Sequence, residues 1–188
     1  MKQSWRVVRS ETLLQDQWIH LRADHCITPG GFEISPYYVL AYPDWVHVVA
    51  ITEAGSVVLV QQYRHAAREV FLELPGGAAD CQDSSLEHAA RRELEEETGF
   101  TAQRWQHVVS LHANPATHTN RVHFFLALDA ANNGTACLDA GEDGLRVELL
   151  DIPSVLDRLR SGSLGHAMHA SGILLGLAVA GRLNLKAT

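Results

Sequence analysis

Long hydrophobic runs are missing from this chain of 188 residues. Its most apolar stretch, GILLGLAVAG (172–181), is ten residues long, about half the ~20 needed for a helix to cross a bilayer. A membrane-spanning helix is therefore not expected. The opening MKQSWRVVRSE has no apolar stretch of signal-peptide length either. Cysteine is scarce: Cys26, Cys81 and Cys137 are odd in number, far apart and without CxxC spacing. They support neither a disulfide framework nor a zinc knuckle, and a reducing, cytoplasmic setting is expected. Basic residues are outnumbered, 15 against 22 acidic, for a formal net charge of −7. No basic stripe exists, so a nucleic-acid partner bound through its phosphates is not expected. An acidic protein that handles phosphates needs a cation between the two charges.

What is present suits one domain with a small appendage. Hydrophobic residues make up 46% and charged residues 20%, enough to bury a core in an ordinary soluble chain. Short β-rich runs fill the first part: WRVV (5–8), WIHLRADHCIT (18–28), YYVLAY (37–42), WVHVVAIT (45–52) and VVLVQQY (57–63), separated by PGG, YPD and EAG turns. The glycine-containing LELPGGAADCQDSS then leads into a helix over about 84–98, with Gly99 placed as a left-handed cap. Strands are expected at WQHVVSLH (105–112), RVHFFLALD (121–129) and LRVELLDI (145–152), a short helix from Pro153 to Arg160, and a closing helix over about 164–180. This order predicts an α/β (α+β) fold, a sheet with few helices packed on it. The first 40 or so residues form a separate small sheet.

The helix ending in ARRELEEETGF carries four glutamates in five positions, at residues 93–97. Acidic groups are unfavourable at a helix C-terminus, and they repel one another at spacings of three and four. At 3.6 residues per turn, Leu86, Ala89, Ala90 and Leu94 form an apolar arc, and Glu93 and Glu97 fall within about 20° of its axis. Glu96 lies at its edge with Arg92 beyond, while Glu87, Arg91 and Glu95 face the opposite way. A solvated face explains the last three. A core-facing charge is costly unless paired or metal-bound, and clustered carboxylates suit a hard divalent cation such as Mg²⁺.

Those residues resemble the Nudix box, G-x5-E-x7-R-E-U-x-E-E-x-G-U with U a bulky apolar residue. Arg92, Glu93, Leu94, Glu96, Glu97, Gly99 and Phe100 match every specified position of its second half. The first half departs: counting back from Arg92 puts Ser84 at the first Glu and Ala78 at the Gly, whereas counting forward from Gly77 reaches Asp83. A one-residue insertion near 82–85 reconciles the two. VVLVQQYRHAAREVFLELPGG and the segment from EDGLRVELLDIP onward are similar to the Nudix enzymes that cleave ADP-ribose and other nucleoside diphosphate sugars. The resemblance implies an α/β/α sandwich with a mixed sheet over 46–188, and an N-terminal antiparallel β extension over 1–45 that forms a homodimer.

It further implies Mg²⁺-dependent hydrolysis (Mn²⁺ substituting) of a nucleoside diphosphate sugar by water attack on phosphorus, ADP-ribose ahead of GDP-mannose. The metal ligands would be Glu93, Glu96, Glu97 and a loop carbonyl near Gly77. Arg92 would orient a neighbouring glutamate, and Glu73 would help to bind metal or substrate. The general base comes from the acidic loop DAGEDG, with Glu142 preferred over Asp143 and Asp139. Arg64, after a strand and before a loop, is placed to grip a phosphate through its planar fork; a surface Arg is the alternative. Trp45, beside the YPD turn, is placed to stack on a nucleobase. The eleven histidines form no HxH or HExxH arrangement, so a zinc site is not expected. Hydrolysis of noncanonical nucleoside triphosphates and a non-catalytic nucleotide sensor are the other readings.

Overall fold

The computed structural model describes residues 4–184, and the chain divides into two compact units. The first holds the residues up to Asp44 together with His112–Arg121. Its sheet is an antiparallel meander of β1 (Arg6–Gln15), β2 (His20–Ile27) and β3 (Glu33–Ala41), in that spatial order. Asp16 reverses the chain by accepting the N–H groups of Trp18 and Ile19 at 2.7 and 2.9 Å, the local turn that Asx side chains favour. Thr28 Oγ1 accepts the N–H of Phe32 at 3.1 Å at the second turn. Segment 112–121 is tied to β3 through Leu40, which donates to Thr117 O at 2.8 Å and accepts from Thr119 at 3.1 Å. β1 extends far past the apolar WRVV, because its ladder with β2 continues through polar residues to Gln15.

The second unit is built on a mixed sheet. Its strands are β4 (Trp45–Thr52), β5 (Ser56–Arg64), β6 (Glu69–Glu73), β7 (Gly76–Ala78), β8 (Phe100–Thr101), β9 (Arg104–His112), β10 (Arg121–Asn132) and β11 (Arg146–Asp151). The central order is β11-β5-β4-β10-β8, with β6 beside β5, β7 beside β4 and β9 beside β10. β4 runs parallel to β10 and antiparallel to β5 and β7. Helix α1 (Leu86–Thr98) covers one face; α2 (Ile152–Ser161) and α3 (Ala167–Val179) cover the other.

The strand alternation explains both cores. Val46, Val48 and Ala50 pack with Ala89, Ala90 and Leu94 of α1. Val49 and Ile51 belong to the opposite core with Leu59, Phe124, Val155, Ile173 and Leu177. A strand buried on both faces reads as a nearly continuous apolar run, which is what WVHVVAIT is. Each fully buried Leu or Phe here contributes about 1.5–3 kcal/mol relative to exposure.

α1 and α3 begin two to three residues later than sequence pattern predicts and α2 one residue earlier, for local reasons. Ser85 caps α1 by accepting the His88 N–H at 3.1 Å, and Gly99 ends it at φ 71°. Asp151 caps α2 through the Ser154 N–H at 2.9 Å. α3 starts at Ala167 rather than near 164, because the Leu164 N–H closes back on Arg158 O at 3.2 Å. β6, β7 and β8 were not expected from the sequence. They are two to five residues long and owe their form to partners elsewhere in the chain.

Candidate active site

Burial of Ala89, Ala90 and Leu94 against Val46, Val48 and Ala50 fixes the rotation of α1, and that rotation turns Glu93 and Glu97 inward. Both are buried, at 7% and 3% exposure. Glu97 Oε2 accepts the N–H of Gly76 at 2.8 Å. At Gly77 a Cβ would stand 2.8 Å from both carboxylate oxygens of Glu93, so any larger residue would push that carboxylate aside. Gly76, at φ 151°, would drive a Cβ to 2.1 Å from Val46 O. The glycines of LPGG therefore let backbone approach carboxylate. That is a packing role readable only with β7 in place.

Arg92 organises the rim of the site. Its Nη1 donates to Glu93 Oε1 at 2.8 Å and Glu96 Oε2 at 2.9 Å, and its Nη2 to Asp83 Oδ2 at 3.0 Å and to Ala78 O at 3.2 Å. The Arg92 guanidinium holds the Asp83 carboxyl well below the usual carboxylate range. The acid before α1 that engages the box arginine is thus Asp83; Ser84 is exposed. Glu96 is turned toward Arg92 and solvent, and its oxygens are not part of the inner cluster.

That cluster is completed from another part of the chain. Glu142 sits on a short 3₁₀ turn, Ala140–Glu142, where its Oε2 accepts the Asp139 N–H at 2.8 Å. Carboxylate oxygens of Glu93, Glu97 and Glu142 lie within 4.8 Å of one another. Burial is the main cause that lifts Glu93 to about 7, opposed by Arg92. Burial likewise lifts Glu97 to about 8, opposed by the Gly76 N–H and reinforced by the charges of Glu93 and Glu142. Buried, mutually repelling carboxylates have one efficient remedy, a shared cation. This oxygen-only donor set, with the Gly77 backbone alongside, fits Mg²⁺ or Mn²⁺.

A cavity of about 370 Å³ opens beside the cluster, lined by Gly76, Gly77 and Ala78 and by Trp45 and Arg64. Arg64 donates from Nε and Nη2 to the single oxygen Oε2 of Glu73, at 3.0 and 2.6 Å. Glu73 is fully buried. The remaining wall is made of His47, His166 and His169. Desolvation lowers all three: His47 to about 3, His169 well below its ordinary range, and His166 in the same direction despite the opposing pull of Glu73. His166 and His169 are three apart in the chain, whereas His47 joins them only in the fold. A larger cavity, about 620 Å³, runs along the solvent side of α1 by His88, Arg91, Glu95 and the rim residues Arg92 and Glu96; Glu93, Glu97 and Glu142 line neither cavity.

Among the predicted residues, then, the fold brings together Glu93, Glu97 and Glu142 in one cluster. It brings Trp45, Arg64 and Gly77 into one adjoining cavity, with Glu73 held on Arg64. Arg92 and Glu96 form the rim.

Known proteins resemble this chain over most of its length. Residues 42–164 match the NUDIX domain, and residues 5–40 match the nucleoside diphosphate sugar hydrolase N-terminal domain. An ADP-ribose pyrophosphatase of Mycobacterium tuberculosis (strain ATCC 25618 / H37Rv) is 29% identical over 170 residues, covering 90% of this chain and 82% of that protein. An ADP-ribose pyrophosphatase of Bacillus subtilis (strain 168) is 30% identical over 122 residues, which span 65% of each chain. The fold is shared with the crystal structure of an ADP compounds hydrolase, at a TM-score of 0.82 and 20% identity, over 96% of this chain and 98% of that one.

Proposed function

Because the chain belongs to the Nudix family, we propose that it hydrolyses the pyrophosphate bond of a nucleoside diphosphate sugar such as ADP-ribose, yielding AMP and a sugar phosphate. The observation that carries this reading is the inner cluster: two glutamates buried at the C-terminal end of α1 and a third on a distant turn, their oxygens within 4.8 Å. Glu93 and Glu97 would hold Mg²⁺ (Mn²⁺ substituting), with the Gly77 carbonyl as a further ligand and Glu96 at the rim on Arg92. When bound, the ion neutralises charge on the diphosphate and lowers the pKa of a coordinated water.

The chain's own residues do the rest. Arg64, anchored on Glu73, presents its remaining Nη1 donors to a phosphate oxygen. Arg92 keeps Glu93 and Glu96 in place through its paired hydrogen bonds. Glu142, the least buried of the three acids and mounted on a short turn, accepts the proton of the attacking water as general base. Trp45 offers an aromatic face to the nucleobase. Positioning and charge neutralisation, not covalent chemistry, supply most of the acceleration in such transfers.

The protein acts as a homodimer through residues 1–45. β1 is exposed along its whole length, with Trp5, Val7, Val8, Leu13 and Leu14 all at 43% exposure or more. A three-stranded sheet is too thin to bury such a face by itself. Three free cysteines suit a reducing cytoplasm. The alternatives are GDP-mannose, noncanonical nucleoside triphosphates or nucleotide sensing without turnover.

The test is a product assay across nucleotide sugars and nucleoside triphosphates, with Mg²⁺ and with chelator, in ¹⁸O-labelled water. Mg²⁺-dependent release of AMP and ribose 5-phosphate, with label in one of them, is the expected result. Turnover of triphosphates alone, or of nothing, would overturn it.

A further inference from the structure

Beyond the hydrolysis proposed above, on which the inference rests, we infer that His47, His166 and His169 form an uncharged sugar subsite, in which their imidazoles hydrogen-bond the hydroxyls of a sugar ring attached to the diphosphate and leave no place for a third phosphate.

The cluster first resembles a metal centre, since atoms of Glu73, His166 and His169 lie within 4.8 Å of one another. The hydrogen bonds exclude that use. His169 Nδ1 accepts the backbone N–H of Leu74 at 3.0 Å, so the neutral ring carries its hydrogen on Nε2, the nitrogen facing Glu73 at 3.9 Å. A nitrogen that carries hydrogen donates; it does not ligate. The Leu74 N–H thus makes His169 a hydrogen-bond donor toward the cavity.

The other two rings supply what a hydroxyl needs in return. His47 is 4% exposed, and neither of its ring nitrogens has a protein partner; the same holds for Nδ1 of His166 and Oε1 of Glu73. The His47 ring lies 4.3 Å from that of His169, and the His166 ring 4.4 Å from it, centroid to centroid. Three imidazoles this close, under the field of Arg64, are held neutral. A neutral imidazole has one donor and one acceptor, the same pairing that a hydroxyl offers. A phosphate only accepts, and it would face the Glu73 carboxylate. Arg64 is the cation lining this cavity, and two of its nitrogens are committed to Glu73. Charge is therefore read at Arg64 and at the carboxylate cluster, and hydroxyls are read at the histidines.

The experiment is calorimetric titration of the full chain loaded with Ca²⁺, a larger and more loosely coordinated ion, so that the readout is binding and not turnover. The probes are ADP-ribose, AMP, ribose 5-phosphate and inorganic pyrophosphate. His47→Phe keeps a ring without nitrogens, and His169→Asn keeps an acceptor for the Leu74 N–H while removing the ring Nε2–H at the far side of the imidazole. Each should weaken ADP-ribose by roughly tenfold, the net worth of about one hydrogen bond, and leave pyrophosphate unchanged. A parallel loss with ribose 5-phosphate places the distal sugar in the subsite; a parallel loss with AMP places the nucleoside ribose there. Equal weakening of pyrophosphate, unchanged ADP-ribose affinity, or stoichiometric Zn²⁺ binding abolished by His169→Asn would overturn the inference. Absence of hydrolysis in the product assay, with these binding differences intact, would count against the proposed reaction and not against the subsite.

Discussion

The carboxylate cluster and the histidine wall are neighbours that meet the same burial with opposite consequences. Desolvation favours whichever form is uncharged. It lifts Glu97 to about 8 and drops His47 to about 3, so in the absence of ligand each is drawn toward its uncharged form. They part when a ligand arrives. The acids recover their charge by sharing a cation, whereas the imidazoles need none and stay neutral hydrogen-bonding groups. A substrate that is charged at one end and uncharged at the other matches this division.

The largest effect expected in breaking that contrast is at Glu97. Glu97→Gln should lower turnover by roughly 10²–10³-fold while the protein stays folded, since Gln preserves the shape and removes a buried charge. Steady-state rates alongside circular dichroism check both halves; turnover near the unmutated level would assign these glutamates to a passive face.

Metal addition probes the same point thermodynamically. Mg²⁺ at 100 times its dissociation constant should stabilise the unmutated protein by about 2.7 kcal/mol, and Glu97→Gln much less. Paired thermal melts with chelator and with millimolar Mg²⁺ decide it, and equal shifts would sink the cluster as a cation site.

Without metal, pH should act on the two regions from opposite sides. Glu93 and Glu97 titrate near 4.5 when unfolded and at about 7 and 8 when folded, so the folded state holds protons that the unfolded state has released. Their contribution to stability therefore falls as pH rises from about 4.5 to about 8, by on the order of a few kcal/mol. For His47 the unfolded chain takes up the proton near 6.5, whereas the folded one does not until about 3. Stability thus falls as pH drops below about 6.5. Denaturant titrations across pH should show Glu97→Gln flattening the upper limb and His47→Phe the lower. A single variant that flattened both would mean the two regions titrate as one.

The smallest effects are expected around the rim. Asp83→Ala removes the carboxylate beneath Arg92 and should cost activity about tenfold, far less than the loss at Glu97. Ser84→Ala and Glu95→Ala, on exposed positions, should stay within about 0.5 kcal/mol of the unmutated stability. Kinetics that ranked Asp83→Ala beside Glu97→Gln would make Arg92 and its support part of the central machinery.

What the linear chain determined by itself is everything that repeats locally. Helical periodicity turned Glu93 and Glu97 inward and left Glu96 at the edge with Arg92, because side-chain direction along a helix follows from residue spacing alone. The Gly99 cap, the β-rich run of β4 and the box residues were legible from local sequence as well. Tertiary structure alone decided the pairings that join distant segments. Glu142 reaches the acids of α1 only through the packing of the second unit, and Glu73 meets Arg64 only because β6 folds back on β5. His47 meets His169 because β4 and α3 share one face of the sheet. The short β7 strand, whose glycines admit the Glu93 carboxylate, exists only against β4. Such contacts depend on which polar groups the fold buries together, and no residue spacing along the chain encodes that.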